Sequence, residues 1–179
     1  MKKTSFYFSL LLSFLGLSSA SMAQESFSWN PCPQLTSPDN PGVGASGKPW
    51  DFTASAYTHH WSNSSEHKTV LLAAVDRQLA DNRFCGMAVF TNSFGQPTAY
   101  PYFGKRWDGV LGSPNTFVKV TAGLLYGYKD QYKDKIPLNK YGIAPAIIPA
   151  LGYRFTKDDS GQIMVLGTAG VLFAYGRSF

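Results

Sequence analysis

Gly170-Val171-Leu172-Phe173-Ala174-Tyr175-Gly176-Arg177-Ser178-Phe179 closes the chain and alternates strictly. On an extended strand Val171, Phe173, Tyr175 and Phe179 share one face. Gly170, Leu172, Ala174, Gly176 and Ser178 share the other, and most of these are small. A bulky face turned out, a small face turned in and a terminal aromatic match the closing strand of an outer-membrane β-barrel. The competing reading is the last edge strand of a soluble sheet. It would leave a sticky edge with no proline or bulge to blunt it.

Working back from this strand, eight strand-like segments are counted, near residues 50–61, 68–78, 84–92, 97–107, 116–127, 144–155, 162–168 and 170–179. Most approach the roughly 9–11 residues of a tilted membrane strand. An even number is what a single-chain barrel requires. The expected fold is therefore all-β, an eight-stranded antiparallel barrel over residues 50–179. Before it, residues 24–49 are rich in Pro, Gly, Ser and Asn and read as an irregular leader. Residues 1–23 read as a secretory signal: Lys2 and Lys3, an apolar run from Phe6 to Leu17, and Ser21-Met22-Ala23 as a small-x-small cleavage site.

Composition agrees. With 44% hydrophobic and 15% aromatic residues, a secreted chain must hide much apolar surface. Beyond the signal there is no apolar run near the ~20 residues of a membrane helix. An alternating barrel hides the surface in lipid instead. The charge of +5 over 179 residues includes Lys2 and Lys3, so it is mild and points to no nucleic-acid partner. Cys32 and Cys85 are the two cysteines. An oxidising compartment permits their disulfide, and sequence leaves the pairing open.

Short turns belong on the periplasmic side and long loops outside. This puts turns 79–83 and 156–161 inside and the connection Lys129–Ile143 outside, although Asp108–Asn115 is long for a periplasmic turn. Alternation assigns Phe52, Ala54, Ala56, Thr58 and His60 of the first strand to the lumen. Val70, Leu72, Ala74 and Asp76 join them from the second. Phe117, Lys119, Thr121, Gly123 and Leu125 come from the fifth, and Ile148, Ala150, Gly152 and Arg154 from the sixth. Asp76, Lys119 and Arg154 thus make a charged floor at the periplasmic end. The lumen above is apolar or small, either a place for an acyl chain or a region filled by its own side chains.

Tyr57-Thr58-His59-His60-Trp61 and Phe90-Thr91-Asn92-Ser93-Phe94 end the first and third strands at the outer rim. One strand lies between them, so His60, Asn92 and Ser93 come together there. A histidine can take a proton from a hydroxyl. The serine, or a substrate hydroxyl, can then attack an ester. Asn92 or a backbone N–H could steady the oxyanion. A surface histidine beside a polar loop is the plain alternative. His67 sits at the same rim, to orient His60, to bind a headgroup, or as an ordinary surface residue. Pro145 and Pro149 cannot donate to a strand ladder and should open the outer half of the wall. Lysines of the long loop could meet phosphates or simply face solvent.

These segments resemble the lipid A palmitoyltransferase family, PagP, in its divergent Pseudomonas-type branch. Ala56-Tyr57-Thr58-His59-His60-Trp61, Phe90-Thr91-Asn92-Ser93-Phe94-Gly95-Gln96-Pro97, Thr121-Ala122-Gly123-Leu124-Leu125-Tyr126-Gly127-Tyr128, Ile136-Pro137-Leu138 and Ile147-Ile148-Pro149-Ala150-Leu151-Gly152-Tyr153 carry the likeness, in family order. The resemblance implies a barrel in the outer membrane that moves a palmitoyl chain from a phospholipid donor to lipid A, with no metal or soluble cofactor. It implies an acyl chain held in the lumen and lipid admitted where prolines interrupt the wall. His60 and Ser93 take the places of the family's rim histidine and serine. Enterobacterial members carry Asp before that serine where this chain has Asn92, and an amide cannot act as a base. Their amino-terminal amphipathic helix has no counterpart in the composition of residues 24–49. Gly86, Ala88, Gly123 and Gly152 would keep the chamber deep and so set acyl length. The rivals are a lipid A deacylase on a similar barrel, and a non-enzymatic barrel, structural or transporting a small phosphorylated solute.

Overall fold

The computed structural model describes Cys32 and residues 44–179. The signal segment and most of the leader expected from sequence lie outside the described residues. Eight strands follow in order: β1 (Trp50–His60), β2 (Leu72–Gln78), β3 (Arg83–Thr91), β4 (Pro97–Asp108), β5 (Thr116–Tyr126), β6 (Ile143–Arg154), β7 (Asp159–Val165) and β8 (Gly170–Ser178). Each pairs antiparallel with the next, and β8 returns to β1, so the sheet is a closed barrel. Closure removes the free edge that an isolated C-terminal strand would expose.

The period of two places the side chains. Along β8 Leu172 is buried, whereas Phe173, Tyr175 and the terminal Phe179 are exposed. On β5 Phe117, Lys119, Thr121 and Leu125 are buried, and Leu124 and Tyr126 face out. At about 3.3 Å per residue and a tilt near 40°, the eleven residues of β5 rise roughly 28 Å.

β1 departs from the expected alternation. Its pairing with β8 shifts between Ala54↔Tyr175 and Tyr57↔Phe173, which is a bulge of one extra residue on β1. The Ser55 hydroxyl donates to the Phe173 carbonyl at 2.6 Å across it. Below the bulge Asp51 pairs with buried Asp76, and Thr53 with buried Ala74. Phe52 and Ala54, expected in the lumen, therefore point outward, and Phe52 pairs with exposed Val75; Ala56, also expected in the lumen, lies within the bulge and is exposed. Above the bulge Thr58 pairs with buried Leu172, and His60 with Gly170. Asp51 and His60 differ in parity, so a regular strand could not turn both inward. The bulge does.

Two strand boundaries also move. β2 starts at Leu72 because the preceding residues bind the β3–β4 turn: Lys68 N–H donates to Ser93 O at 2.8 Å, and Leu71 N–H to Thr91 Oγ1 at 3.0 Å. β7 starts at Asp159, earlier than expected, since the Thr156 hydroxyl accepts the N–H groups of Asp158 and Asp159 and tightens the turn.

Two ladders stop short, both toward the His60 end. β1–β2 pairing ends at Ser55↔Leu72, leaving Ala56–His60 without a β2 partner. β6–β7 pairing runs from Arg154↔Ser160 to Ala150↔Met164, leaving Ile143–Pro149 without a β7 partner. The second gap begins at Pro149, which has no N–H to give. Cys32 and Cys85 form a disulfide, with Cα atoms 6.0 Å apart, so the pairing left open by sequence is made.

The floor is an ion network. Lys119 Nζ binds Asp76, which also accepts the Tyr102 hydroxyl at 2.6 Å. Arg106 reaches Asp51 (3.5 Å) and Asp108 (3.3 Å), and Arg154 donates to Asp108 at 2.6 Å. Three acids thus face three bases. The cations also lie over aromatic faces: Lys119 over Phe84 (4.6 Å), Arg106 and Arg154 over Phe117 (5.5 and 5.7 Å). Asp76, Lys119 and Arg154 were legible in the sequence. Asp51 was hidden by the bulge.

Candidate active site

Above the floor the lumen opens into a chamber of about 590 Å³, in the range of small-molecule and lipid sites. Val70, Leu72, Ala88, Leu125, Ile148 and Leu172 make its apolar wall. Tyr102, Lys119 and Thr121 close its bottom. Apolar walls above a neutralised floor suit a hydrocarbon chain entering from the rim.

Three of the glycines expected to deepen the chamber do not line it. A Cβ on Gly86 would meet Asp76 Oδ1 at 2.2 Å and the Tyr102 ring at 2.8 Å. One on Gly123 would lie 2.1 Å from the Pro101 carbonyl oxygen, and one on Gly152 2.2 Å from the Phe117 ring. These positions are small because Tyr102, Phe117 and the β4 backbone press on them. Ala88 does line the chamber. If the chamber holds an acyl chain, Ala88→Met is expected to shorten the chain it accepts, whereas Gly123→Met should impair folding. Product chain length, read by mass spectrometry beside the folded fraction, checks both; an unchanged length in folded Ala88→Met would remove this position from the ruler.

At the rim the topology joins His60 and Ser93: His60 Nε2 lies 2.9 Å from Ser93 Oγ. His67 stacks on His60 with ring centroids 4.3 Å apart, and its Nδ1–H donates to the Ser62 carbonyl at 3.1 Å. His67 therefore buttresses the His60 ring from the β1–β2 loop. Phe94 packs on the far side of His67 at 5.9 Å and stacks on Tyr132 at 4.3 Å. Lys135 meets Phe94 (5.5 Å) and Glu66 (3.9 Å). Three loops thus converge around the mouth.

Asn92 is fully buried and holds the turn that presents Ser93. Its Oδ1 accepts the N–H groups of Phe94 and Gln96, both at 3.0 Å, an Asx-turn arrangement. Orientation and charge stabilisation are the two roles expected of Asn92, and these bonds hold the backbone that carries Ser93. Asn92 Oδ1 is taken by these two donors, and its Nδ2, the donor an oxyanion would need, lies 3.5 Å from both Gln96 Oε1 and Gly127 O, so charge stabilisation would fall to other groups. Pro145, with Ala146 and Ile147, lines the chamber beside the β6–β7 gap. Pro149 marks that gap from the strand, one residue above the last pair.

With its proton on Nδ1, His60 can accept the Ser93 proton at Nε2. The pair has the geometry of a nucleophile–base dyad at the mouth of an apolar chamber, an arrangement chemically able to attack an ester.

No family model matches the chain, and no curated protein matches it. Among solved structures, a protein with unknown function from Clostridium acetobutylicum ATCC 824 aligns at 10% identity, over 74% of this chain and 95% of that one, with a TM-score of 0.20. A likeness that slight carries no argument about fold or chemistry.

Proposed function

We propose that this chain is an outer-membrane acyltransferase of the lipid A palmitoyltransferase kind, moving a palmitoyl chain from a phospholipid to lipid A. The observation that carries the reading is the His60–Ser93 pair, 2.9 Å apart, at the mouth of an apolar chamber whose bottom is closed. A hydrolase of soluble esters would not need a hydrocarbon-sized lumen below its nucleophile. A conduit for polar solutes would not place Tyr102, Asp76 and Lys119 across its path.

The membrane setting rests on the outer surface. Leu71, Met87, Val89, Leu124, Ile147 and Phe173 are exposed around the wall. Trp107, Tyr153 and Tyr175 ring the floor end, and Tyr57, Trp61 and Tyr126 the chamber end. An apolar band between two aromatic girdles fits a bilayer, with the chamber end outside. The β6–β7 gap would then admit a lipid tail sideways. The likeness of the quoted motifs to the palmitoyltransferase family supports the choice of donor and acceptor.

The chemistry balances without a redox or metal partner, since one ester is exchanged for another. Ser93 Oγ bonds to the donor's ester carbon while its proton passes to His60 Nε2, and the carbonyl π pair moves onto oxygen. Collapse reforms the carbonyl and breaks the bond to the lysophospholipid, whose oxygen takes the proton from His60. The lipid A hydroxyl repeats the sequence on the acyl-serine. The test uses the purified chain in detergent with a phospholipid bearing labelled palmitate, plus lipid A. Label on lipid A with one lysophospholipid per transfer is expected. Free labelled palmitate alone would indicate a hydrolase, and ion conductance without turnover a pore.

A further inference from the structure

We propose that Tyr128 is a further catalytic residue of this site, its hydroxyl donating to the oxyanion that forms when Ser93 attacks. This rests on the acyl-transfer reading of the same site. Attack by Ser93 places negative charge on the former carbonyl oxygen, and a fixed donor aimed there is usually the largest single contribution to such catalysis.

Several of the groups expected to supply that donor are already committed. In the Ser93 turn, Phe94 N–H and Gln96 N–H both donate to Asn92 Oδ1. Gly95 N–H donates to Asn92 O at 2.8 Å, and Asn92 N–H to Gln96 O at 2.9 Å. The Asn92 amide nitrogen points back into the protein, 3.5 Å from both Gln96 Oε1 and Gly127 O.

Tyr128 is held beside Ser93 from both sides. Asn92 Nδ2 reaches the residue before it, Gly127. The residue after it, Lys129, gives its N–H to Gln96 Oε1 at 3.1 Å and accepts Gln96 Nε2–H at its carbonyl at 3.4 Å. Asn139 Nδ2 donates to the Tyr128 carbonyl at 2.7 Å. The ring packs edge-on against Phe94 at 6.2 Å. The β5–β6 loop is thus stitched to the Ser93 turn on either side of this one tyrosine. The side chain lines the chamber with Ser93, and its hydroxyl is close enough to interact with that of Ser93. A hydroxyl beside the attacking oxygen is also beside the oxyanion on the carbon it attacks. Such contacts commonly tighten once substrate is bound. Burial pushes the phenol up to about 12, so it stays a donor wherever a histidine base is active.

The test is Tyr128→Phe, which keeps the ring against Phe94 and removes only the hydroxyl. Electrophoresis with and without boiling reports the folded barrel, and only folded protein is assayed. Two readouts are taken: palmitoyl transfer to lipid A, and the rate at which a hexadecyl fluorophosphonate labels Ser93. The expected result is a fall in kcat of about 100-fold or more with KM within about twofold, since only transition-state stabilisation is lost. The labelling rate should fall by about tenfold or more, because the phosphonyl oxygen needs the same donor. Wild-type rates in Tyr128→Phe, with Ser93→Ala inert, would overturn the proposal and leave the acyltransferase reading standing. If the wild type moves no acyl chain, that reading fails by itself. The labelling rate then still decides Tyr128: slower in the variant upholds it, equal rates overturn it.

Discussion

Ser93→Ala is expected to lower acyl transfer by about 10³-fold or more, His60→Ala by a comparable factor, and the double variant no further. The reason is geometric. The two side chains share one proton across 2.9 Å, so removing either removes the same step. Fold should be spared, because the turn does not rest on the Ser93 hydroxyl. Asn92 Oδ1 keeps its two N–H donors, and the Ser93 carbonyl keeps Lys68 N–H. Initial rates with labelled donor measure all three variants. Losses that multiply in the double variant would show that the residues act in separate steps.

Asp76→Asn is expected to carry the largest stability effect, about 3–5 kcal/mol, the usual penalty for leaving one member of a buried ion pair without its partner. Asp76 is 0% exposed and meets both Lys119 and the Tyr102 hydroxyl. The amide would leave the Lys119 ammonium, itself buried, without its counter-charge. Adding Lys119→Met should recover most of the loss by removing the stranded ammonium. Equilibrium unfolding by guanidinium in detergent micelles gives the values. A loss below about 1 kcal/mol in Asp76→Asn would mean that water, not the pair, satisfies the floor. The same variant tests the chamber, since the network forms its bottom.

The barrel was legible because its signal is local. Alternation in β5, β6 and β8 needs nothing beyond the residues themselves, and it put Lys119, Arg154 and the apolar wall where they are found. What failed depended on a neighbour. The β1 bulge is a relation between Ala54–Tyr57 and β8, and no property of β1 alone announces it. Its one trace was that Asp51 and His60, both suited to the lumen, have opposite parity. The glycines misled for the same reason. Gly123 and Gly152 are inward positions, but the groups filling the space in front of them come from β4 and from Phe117. Around Ser93, the Asn-Ser-Phe-Gly run at residues 92–95 carried an Asx-turn signal that reads Asn92 as a holder of backbone. Tyr128 lies past the end of β5, where alternation no longer says which way a side chain points.

The most direct test of the central claim is mass spectrometry of lipid A from cells expressing the intact chain, beside Ser93→Ala and His60→Ala at equal folded amounts. Lipid A heavier by one palmitoyl group in the wild type, and unchanged in both variants, is the expected result. Lipid A lighter by an acyl chain, or identical in all three, would contradict it.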